Sequence, residues 1–477
     1  MKYFNLISLG CPKNRVDSEK ILHVMFAAGF KYTEDQQKAQ VLIINTCAFI
    51  QPAVEESISV ILDSFQLNPT ALLVVAGCLP LRYKQKLHES FPEVDMFITP
   101  EQIEGFAQSV KLSLLKKTER LNNRKESSSR LRYEYQICPD YERGNDCGSS
   151  DDSAEAVAQL AVKEKSSDIY EFNRALSTPG FAYLRISDGC DHECKFCAIP
   201  LIRGKLRSET IEDLAREATT LSGLGVKELV LVAQDLSSYG RDLGIKNGLV
   251  RLLERLDSTP GIEWIRLMYL YPSGVKSDLI DMIQGSQKIL PYVDVPIQHI
   301  SDRVLKSMGR PWNGEKIKDM IDFMRSRIPE IVIRTTVMVG YPTEEDSDFD
   351  ELKRFISEFK LDHVGVFTYF QEEGSPSEKL GDPIQKKIKN ARARAIRSIH
   401  STFLKKRNKT RIGRIESSIV EGISEESDLL LEGRVWDQAP EVDGKLYITS
   451  GTADVGAIKR VLITGANGVD LFGEIQD

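Results

Sequence analysis

Cys190-Asp-His-Glu-Cys194-Lys-Phe-Cys197 is the stretch on which the reading of this chain turns. Its C-x3-C-x2-C spacing sets three thiolates on one short loop, close enough to bind three irons of a single 4Fe-4S cube. A cube takes four ligands, and no other cysteine lies within forty residues of this loop. One iron is therefore left open for a substrate or cofactor. Tetrahedral zinc is the competing reading; it needs a fourth ligand, and His192, caught between the thiolates, is an awkward one.

Around this loop the pattern alternates between strand and helix. Six strand-like runs cover 181–186, 227–234, 264–271, 292–298, 332–340 and 363–370, with helical stretches such as Ile211–Leu224 and Gly314–Arg327 between them. That alternation predicts a partial (β/α)6 parallel barrel, with chemistry at the C-terminal ends of the strands. The cysteine loop follows the first strand, as this geometry requires. Gln234-Asp235 ends the second strand, Gln298 the fourth and Gly340 the fifth. They are either ligand contacts or ordinary strand-terminal caps.

Toward the N-terminus a second cysteine set is spread over a repeat. Leu6-Ile-Ser-Leu-Gly-Cys11, Val41-Leu-Ile-Ile-Asn-Thr-Cys47 and Leu72-Leu-Val-Val-Ala-Gly-Cys78 are each an apolar run ending in cysteine. Helical patterns follow at Ser18–Ala28, Pro52–Phe65 and Leu81–Phe91, so the region reads as βαβ units around a parallel sheet. Ligands of such sheets sit at the carboxyl ends of the strands, where all three cysteines fall. Buried core thiols are the alternative for any one of them. Three at the same place in three successive units argue for a second three-thiolate cluster.

Composition bounds the rest. The chain has 477 residues, 41% hydrophobic and 28% charged, with a net charge of −7. That describes an ordinary soluble protein of two to four domains, with no general affinity for nucleic acid. No apolar run approaches eighteen residues, so no membrane span is expected. The N-terminus reads as a strand rather than a signal peptide. Eight cysteines without a secretion signal point to thiolate chemistry in a reducing cytoplasm.

The expected boundaries are an α/β domain over 1–117, a polar inserted linker over 118–176, the barrel with its trailing helix over 177–410, and a small β-barrel over 411–477. The linker carries Cys138 and Cys147, read as free thiols in preference to a metal site. Between Ile384 and Arg411 stand eleven Lys or Arg and no acid, with an expected apolar stripe of Ile388, Ala391, Ala395, Ile399 and Phe403. Such charge is usually a solvated face, with contact to ribosomal RNA as the second reading. From 411 on, five short strand patterns appear, with a turn at Gly-Ala-Asn-Gly 465–468. Thirteen acids against six bases there suit a basic protein partner.

Two cysteine triads in this order resemble the methylthiotransferases, radical S-adenosylmethionine (SAM) enzymes that insert sulfur into an unactivated C–H bond and methylate it. The resemblance covers nearly the whole chain apart from the insertion near 120–175, and its C-terminal barrel resembles a TRAM domain. Ser8-Leu-Gly-Cys11-Pro12-Lys13-Asn14, Val16-Asp-Ser-Glu19 and Asn45-Thr-Cys47-Ala-Phe-Ile50 look like the RimO-type branch, which modifies an aspartate of the twelfth small-subunit ribosomal protein. Leu290-Pro-Tyr-Val-Asp294-Val-Pro-Ile-Gln298-His299 is similar to a stretch shared across the family. Two departures stand out: Gly340-Tyr-Pro-Thr343-Glu344 replaces Gly-Phe-Pro-Gly-Glu, and Ser208-Glu209 replaces Ser-Arg.

The resemblance implies two 4Fe-4S clusters, one on Cys11, Cys47 and Cys78 and one on Cys190, Cys194 and Cys197. SAM would chelate the open iron of the second and be cleaved to a hydrogen-abstracting radical, with Gln234, Gln298 and Gly340 as its contacts. It further implies a ribosomal-protein substrate, two SAM per product, a reductant such as flavodoxin or ferredoxin, and a monomeric cytoplasmic enzyme. A transfer-RNA adenosine methylthiotransferase and an iron–sulfur electron-transfer protein are the competing functions. The basic helix favours the former; the acidic C-terminal barrel and the N-terminal motifs oppose it.

Overall fold

The computed structural model describes residues 2–84, 86–125 and 174–476. The expectations for Cys138, Cys147 and most of the insertion lie outside the described residues. Two compact units emerge, residues 1–48 with 53–177, and residues 49–52 with 178–477. Among the described residues no helix is long and apolar enough to cross a membrane.

The first unit is a five-stranded parallel sheet: β1 (Lys2–Ser8), β2 (Phe30–Tyr32), β3 (Val41–Thr46), β4 (Leu72–Gly77) and β5 (Met96–Ile98), ordered β2-β1-β3-β4-β5. Strands β3 and β4 are buried along their whole length, which is why they read as unbroken apolar runs rather than alternating ones. Phe4, Ile43 and Val74 from the strands, and Ile21, Met25 and Phe106 from flanking helices, share one core. The first helix spans Pro12–Ala27, beginning six residues before the expected Ser18. A proline in the first turn costs no hydrogen bond, so Pro12 starts the helix directly behind Cys11. The expected Leu81–Phe91 helix is instead two, Cys78–Tyr83 and Lys86–Ser90, interrupted at Lys84, whose φ of 47° no α-helix accepts.

The helix Ile103–Lys125 runs past the expected boundary at 117. The end of the insertion is not a loose linker either. The buried Arg174 and Ser177 both bond the buried carboxylate of Glu19, with Arg174 Nε and Ser177 Oγ each 2.5 Å from it. Glu19 of the Val-Asp-Ser-Glu motif thus anchors the returning chain.

In the second unit, β6 (Phe181–Arg185) leads into a two-stranded ribbon, β7 (Ser187–Asp188) and β8 (Arg207–Ser208). Strands β9 (Glu228–Val232), β10 (Trp264–Leu267), β11 (Ile289–Asp294), β12 (Val332–Val339) and β13 (His363–Thr368) then join β6. All are parallel and neighbour one another in chain order, β6-β9-β10-β11-β12-β13. Six parallel strands added successively on one side are the winding of a partial (β/α) barrel. The strands stop short of their expected ends. Gln298, expected to end one, lies four residues beyond β11, in a single bridge to Val337.

The basic helix spans Lys386–Lys409, but its buried side is not the expected stripe. Ile388 and Ala391 face solvent, while Lys389, Arg392, Ala393, Ile396, Leu404 and Asn408 are buried. Two cations displace the apolar phase because each has an acid to meet: Lys389 pairs with Asp382, and Arg392 with Asp346 and Glu344.

Strands β14 (Ile415–Ser424), β15 (Ser427–Val435), β16 (Leu446–Ser450), β17 (Ile458–Asn467) and β18 (Asp470–Gln476) close into a barrel ordered β14-β15-β16-β18-β17. Its core is Val420, Val435, Leu446, Val461, Ile463 and Leu471. The expected 465–468 turn falls later: β17 continues through Asn467, and Gly468 and Val469 make the turn. Cross-strand bonds to β18 carry residues 465–467 into the ladder.

Candidate active site: two cysteine triads at strand ends

Strands β1, β3 and β4 are adjacent, and Cys11, Cys47 and Cys78 lie just beyond their C-terminal ends. Register pairs Ser8 with Asn45 and Thr46 with Gly77, so the three loops leave the sheet at nearly one level. A Cβ on Gly10 would stand 2.7 Å from Cys47 Cβ, a space only glycine leaves open. The side chain of Asn14 ties the group together. Its Nδ2 donates to Leu9 O and Thr46 O, and its Oδ1 lies 3.6 Å from Cys78 Sγ. Asn45 Nδ2 in turn donates to Asn14 O and Ser18 Oγ. The motif residues Asn14, Ser18 and Asn45 therefore build the scaffold under the thiols. Cys11 stands at the N-cap of the helix Pro12–Ala27, directly before its first helical residue.

The second triad follows β6 through the ribbon. Backbone bonds hold the loop at both ends: Cys190 N to Gly204 O at 3.1 Å and Lys195 N to Met308 O at 2.9 Å. His192 N and Ile199 N each point at a cysteine sulfur, Cys190 and Cys197 respectively, at 3.5 Å. Burial pushes the Cys197 thiol up to about 12 and raises Cys190 as well. Such thiols become thiolates when a bound metal supplies positive charge.

His192 is not a fourth ligand. Its Nε2 lies 2.7 Å from Asp235 Oδ2, and its ring stacks on Tyr271 at 3.9 Å. Moreover, no three His, Cys, Asp or Glu side chains among the described residues converge on one metal ion. Zinc bonds of about 2.3 Å would require that convergence. A cube has a separate corner for each thiolate, so it asks for three cysteines without asking them to converge on one ion, and three thiols are the donor type it takes.

Of the three expected SAM contacts, Gln234 lies beside the loop. Its Nε2 donates to Asp188 Oδ1 at 2.8 Å, while its Oε1 is buried without a partner, as is Ser187 Oγ. Ser187 lies three residues before Cys190, Gln234 is bonded to Asp188, and orphaned atoms so placed suit a polar ligand. Gln298 stands at φ 72° and is half-buried. The Gly340 amide is bonded to Glu344, as is that of Tyr341, so those N–H groups are not open to a ligand. The left-handed residue of this turn is Gly340 itself, with φ 74°, and position 343 tolerates threonine without strain.

The sequence marked Asp235 as a polar strand end and missed Asp188 and Arg310, which also crowd the loop. Asp235 is a hub, accepting from Ser237 N and Oγ, Ser238 Oγ, Tyr271 N and His192. Burial alone would raise its carboxyl, but hydrogen bonds from His192, Ser237 and Ser238 hold it below its ordinary value. Asp188 bridges Gln234 and Arg203 Nη1, the latter at 3.0 Å. Arg310 reaches Cys194 from more than a hundred residues away. Only the Met-Gly-Arg-Pro run at 308–311 could have marked it, and that run has no periodicity to read.

Fold and site together define a radical SAM enzyme with an added N-terminal sheet and C-terminal barrel. Residues 184–356 match the Radical SAM superfamily, residues 3–99 the uncharacterized protein family UPF0004, and residues 412–475 the TRAM domain. The chain is 38% identical to the ribosomal protein uS12 methylthiotransferase RimO of Acetivibrio thermocellus, covering 99% of this chain and 98% of the relative. It is 40% identical to that of Aquifex aeolicus, covering 98% and 96%. Among solved structures it is similar to the radical S-adenosylmethionine methyltransferase TsrM of Kitasatospora setae, with TM-score 0.51, 12% identity and coverage of 79% and 74%. That likeness is one of fold.

The chain belongs to the ribosomal protein uS12 methylthiotransferase family. It is a radical SAM methylthiotransferase acting on a ribosomal protein.

Proposed function

We propose that this enzyme methylthiolates the β-carbon of an aspartate in ribosomal protein uS12, holding one 4Fe-4S cluster on Cys11, Cys47 and Cys78 and another on Cys190, Cys194 and Cys197. The observation that carries the reading is the placement of both triads. Each sits just beyond the C-terminal end of a parallel strand or set of strands, the position at which such folds bind ligands. Bound there, the clusters and two SAM per turnover would supply the electron, the hydrogen-abstracting radical, the sulfur and the methyl group. The chain's own residues hold and shield. Asn14 and Asn45 brace the first triad. Asp235, through His192, keeps the second loop on Tyr271. Gln234 and Ser187 present unpaired oxygens beside Cys190 for the polar end of SAM.

The division of labour is tested by separating the triads. A Cys11→Ala, Cys47→Ala, Cys78→Ala variant should retain about four irons, still release 5′-deoxyadenosine under dithionite, and transfer no sulfur. Mass spectrometry of uS12 and of transfer RNA from a deletion strain identifies the substrate. A mass deficit on transfer RNA alone would refute the protein assignment.

A further inference from the structure

The turn Met308–Arg310 is pressed against the cysteine loop as a built element. Lys195 N donates to Met308 O at 2.9 Å, and Arg310 N donates to Leu305 O at 2.9 Å. Gly309 has φ 72°, and a Cβ there would meet Glu193 O at 2.8 Å, so only glycine lets the two loops approach this closely. The guanidinium that emerges is held three ways. Arg310 Nη2 donates to Pro296 O at 2.5 Å, and Nη1 lies 3.5 Å from Cys194 Sγ. Its Cζ stands 4.3 Å from the centroid of the Tyr271 ring. His192 stacks on the same ring at 3.9 Å. Two layers that close to one centroid take opposite faces, so Tyr271 is filled on both sides by groups bound to the cysteine loop.

We infer that Arg310 is a positioning residue that sets the reduction potential of the cluster on Cys190, Cys194 and Cys197, through its N–H contact with the Cys194 sulfur and its clamp on Tyr271. Hydrogen bonds to cluster sulfurs and nearby positive charge favour the reduced form, which carries one more negative charge. Backbone amides of His192 and Ile199 and the side chain of Tyr271 also bond this triad, and none of them carries positive charge. Arg310 adds a full, permanent charge, since a guanidinium does not deprotonate in proteins. The inference rests on the cluster assignment proposed above.

The test is a redox titration of the full-length, anaerobically reconstituted enzyme, following the reduced-cluster EPR signal that SAM addition perturbs. Iron content is measured in parallel. At the poise that half-reduces the wild-type cluster, Arg310→Gln should lower the reduced-to-oxidised ratio about tenfold, equivalent to about 59 mV for one electron. Arg310→Lys, which keeps the charge but not the planar fork, should fall between. If the Gln variant fails to hold iron, the Lys variant decides alone. A ratio within about twofold of wild type in an iron-loaded variant overturns the inference. A wild-type protein that binds no iron through the second triad would instead refute the cluster assignment, so the two failures are distinguishable. The titration needs no substrate, and a merely structural arginine would change iron content or stability without moving the potential.

Discussion

The two ends of the six-stranded barrel are built on opposite electrostatic plans. At the C-terminal mouth, buried oxygens are left without partners: Ser187 Oγ and Gln234 Oε1 are orphaned beside Cys190, Cys194 and Cys197, none of which is in a disulfide. At the floor, charge is more abundant and is paired. Glu228, the first residue of β9, sits between Arg266 and Arg434, each at 2.6 Å. Arg434 comes from the C-terminal barrel, and so do the acids that meet the floor's other polar groups. Asp443 takes Tyr292 Oη at 2.8 Å and His363 Nδ1 at 3.2 Å. Asp437 takes Arg407 at 2.5 Å and Arg411 at 2.9 Å. Glu441 accepts from Tyr183. The mouth leaves buried oxygens open beside the cysteine loop, while the floor pairs opposite charges within the chain, with Arg266 Nη1 and Asp437 Oδ1 left over. Conserving chemistry at one end and stability at the other is the usual division in parallel barrels.

This pairing corrects the electrostatic expectation for the C-terminal barrel. Several of its acids, Glu421, Asp437 and Asp443 among them, pair with arginines or meet His363 within the chain and do not build an external field. The basic helix is depleted in the same way, since Lys389, Arg392 and Arg407 pair with acids. Among the acids that stay outward on the barrel are Glu425, Glu426 and Asp428 at the β14–β15 hairpin tip, exposed beside Ile423 and Leu429.

The comparison breaks most visibly at the mouth. A Cys190→Ala, Cys194→Ala, Cys197→Ala variant should make no 5′-deoxyadenosine under dithionite, yet its apo form should melt close to the wild-type apo protein. Normal nucleoside production would end the radical SAM reading of this loop. At the floor the pattern should reverse. Glu228→Gln leaves the buried Arg266 without its acid and Arg434 with Glu421 alone, and should cost about 3–5 kcal/mol, measured by denaturant unfolding. SAM cleavage per folded, iron-loaded molecule should hold. Equal loss of both would erase the distinction between the ends.

Acid sharpens the contrast further. Burial alone would raise the carboxyl of Glu228, but Arg266 and Arg434 hold it below its ordinary value; Arg411 and Arg407 do the same for Asp437. A depressed folded pKa adds stability that is fully present above the unfolded carboxylate value of about 4 and is lost as pH falls through the folded value. Asp294 has the opposite sign, because burial raises it against the pull of Arg334. Acid unfolding should therefore be shallower in Glu228→Gln than in wild type, and an unchanged slope would count against the floor network.

The smallest effect is expected outside. Reversing Glu425, Glu426 and Asp428 to Lys should weaken uS12 binding a few-fold, more at low salt because the Debye length is about 8–10 Å at physiological ionic strength. Undiminished affinity, measured by titration calorimetry, would remove the remaining electrostatic role of this barrel.

Local pattern was sufficient for much of this molecule. Apolar runs ending in cysteine placed the first triad at strand ends, because strands buried on both faces are continuous in sequence and their loops follow directly, and the second was placed by its loop following the first barrel strand. Alternation of strand and helix was likewise enough for the partial barrel, and short strands with turns for the C-terminal one. Spacing alone could not show that His192 turns to Asp235 rather than to a metal, or that Arg310 meets Cys194 across more than a hundred residues. Nor could composition tell an outward acid from an inward one. Charge along a chain is a sum, whereas a buried ion pair depends on which two elements the fold presses together, and only the tertiary structure decided that Glu228 and Asp437 belong to the floor.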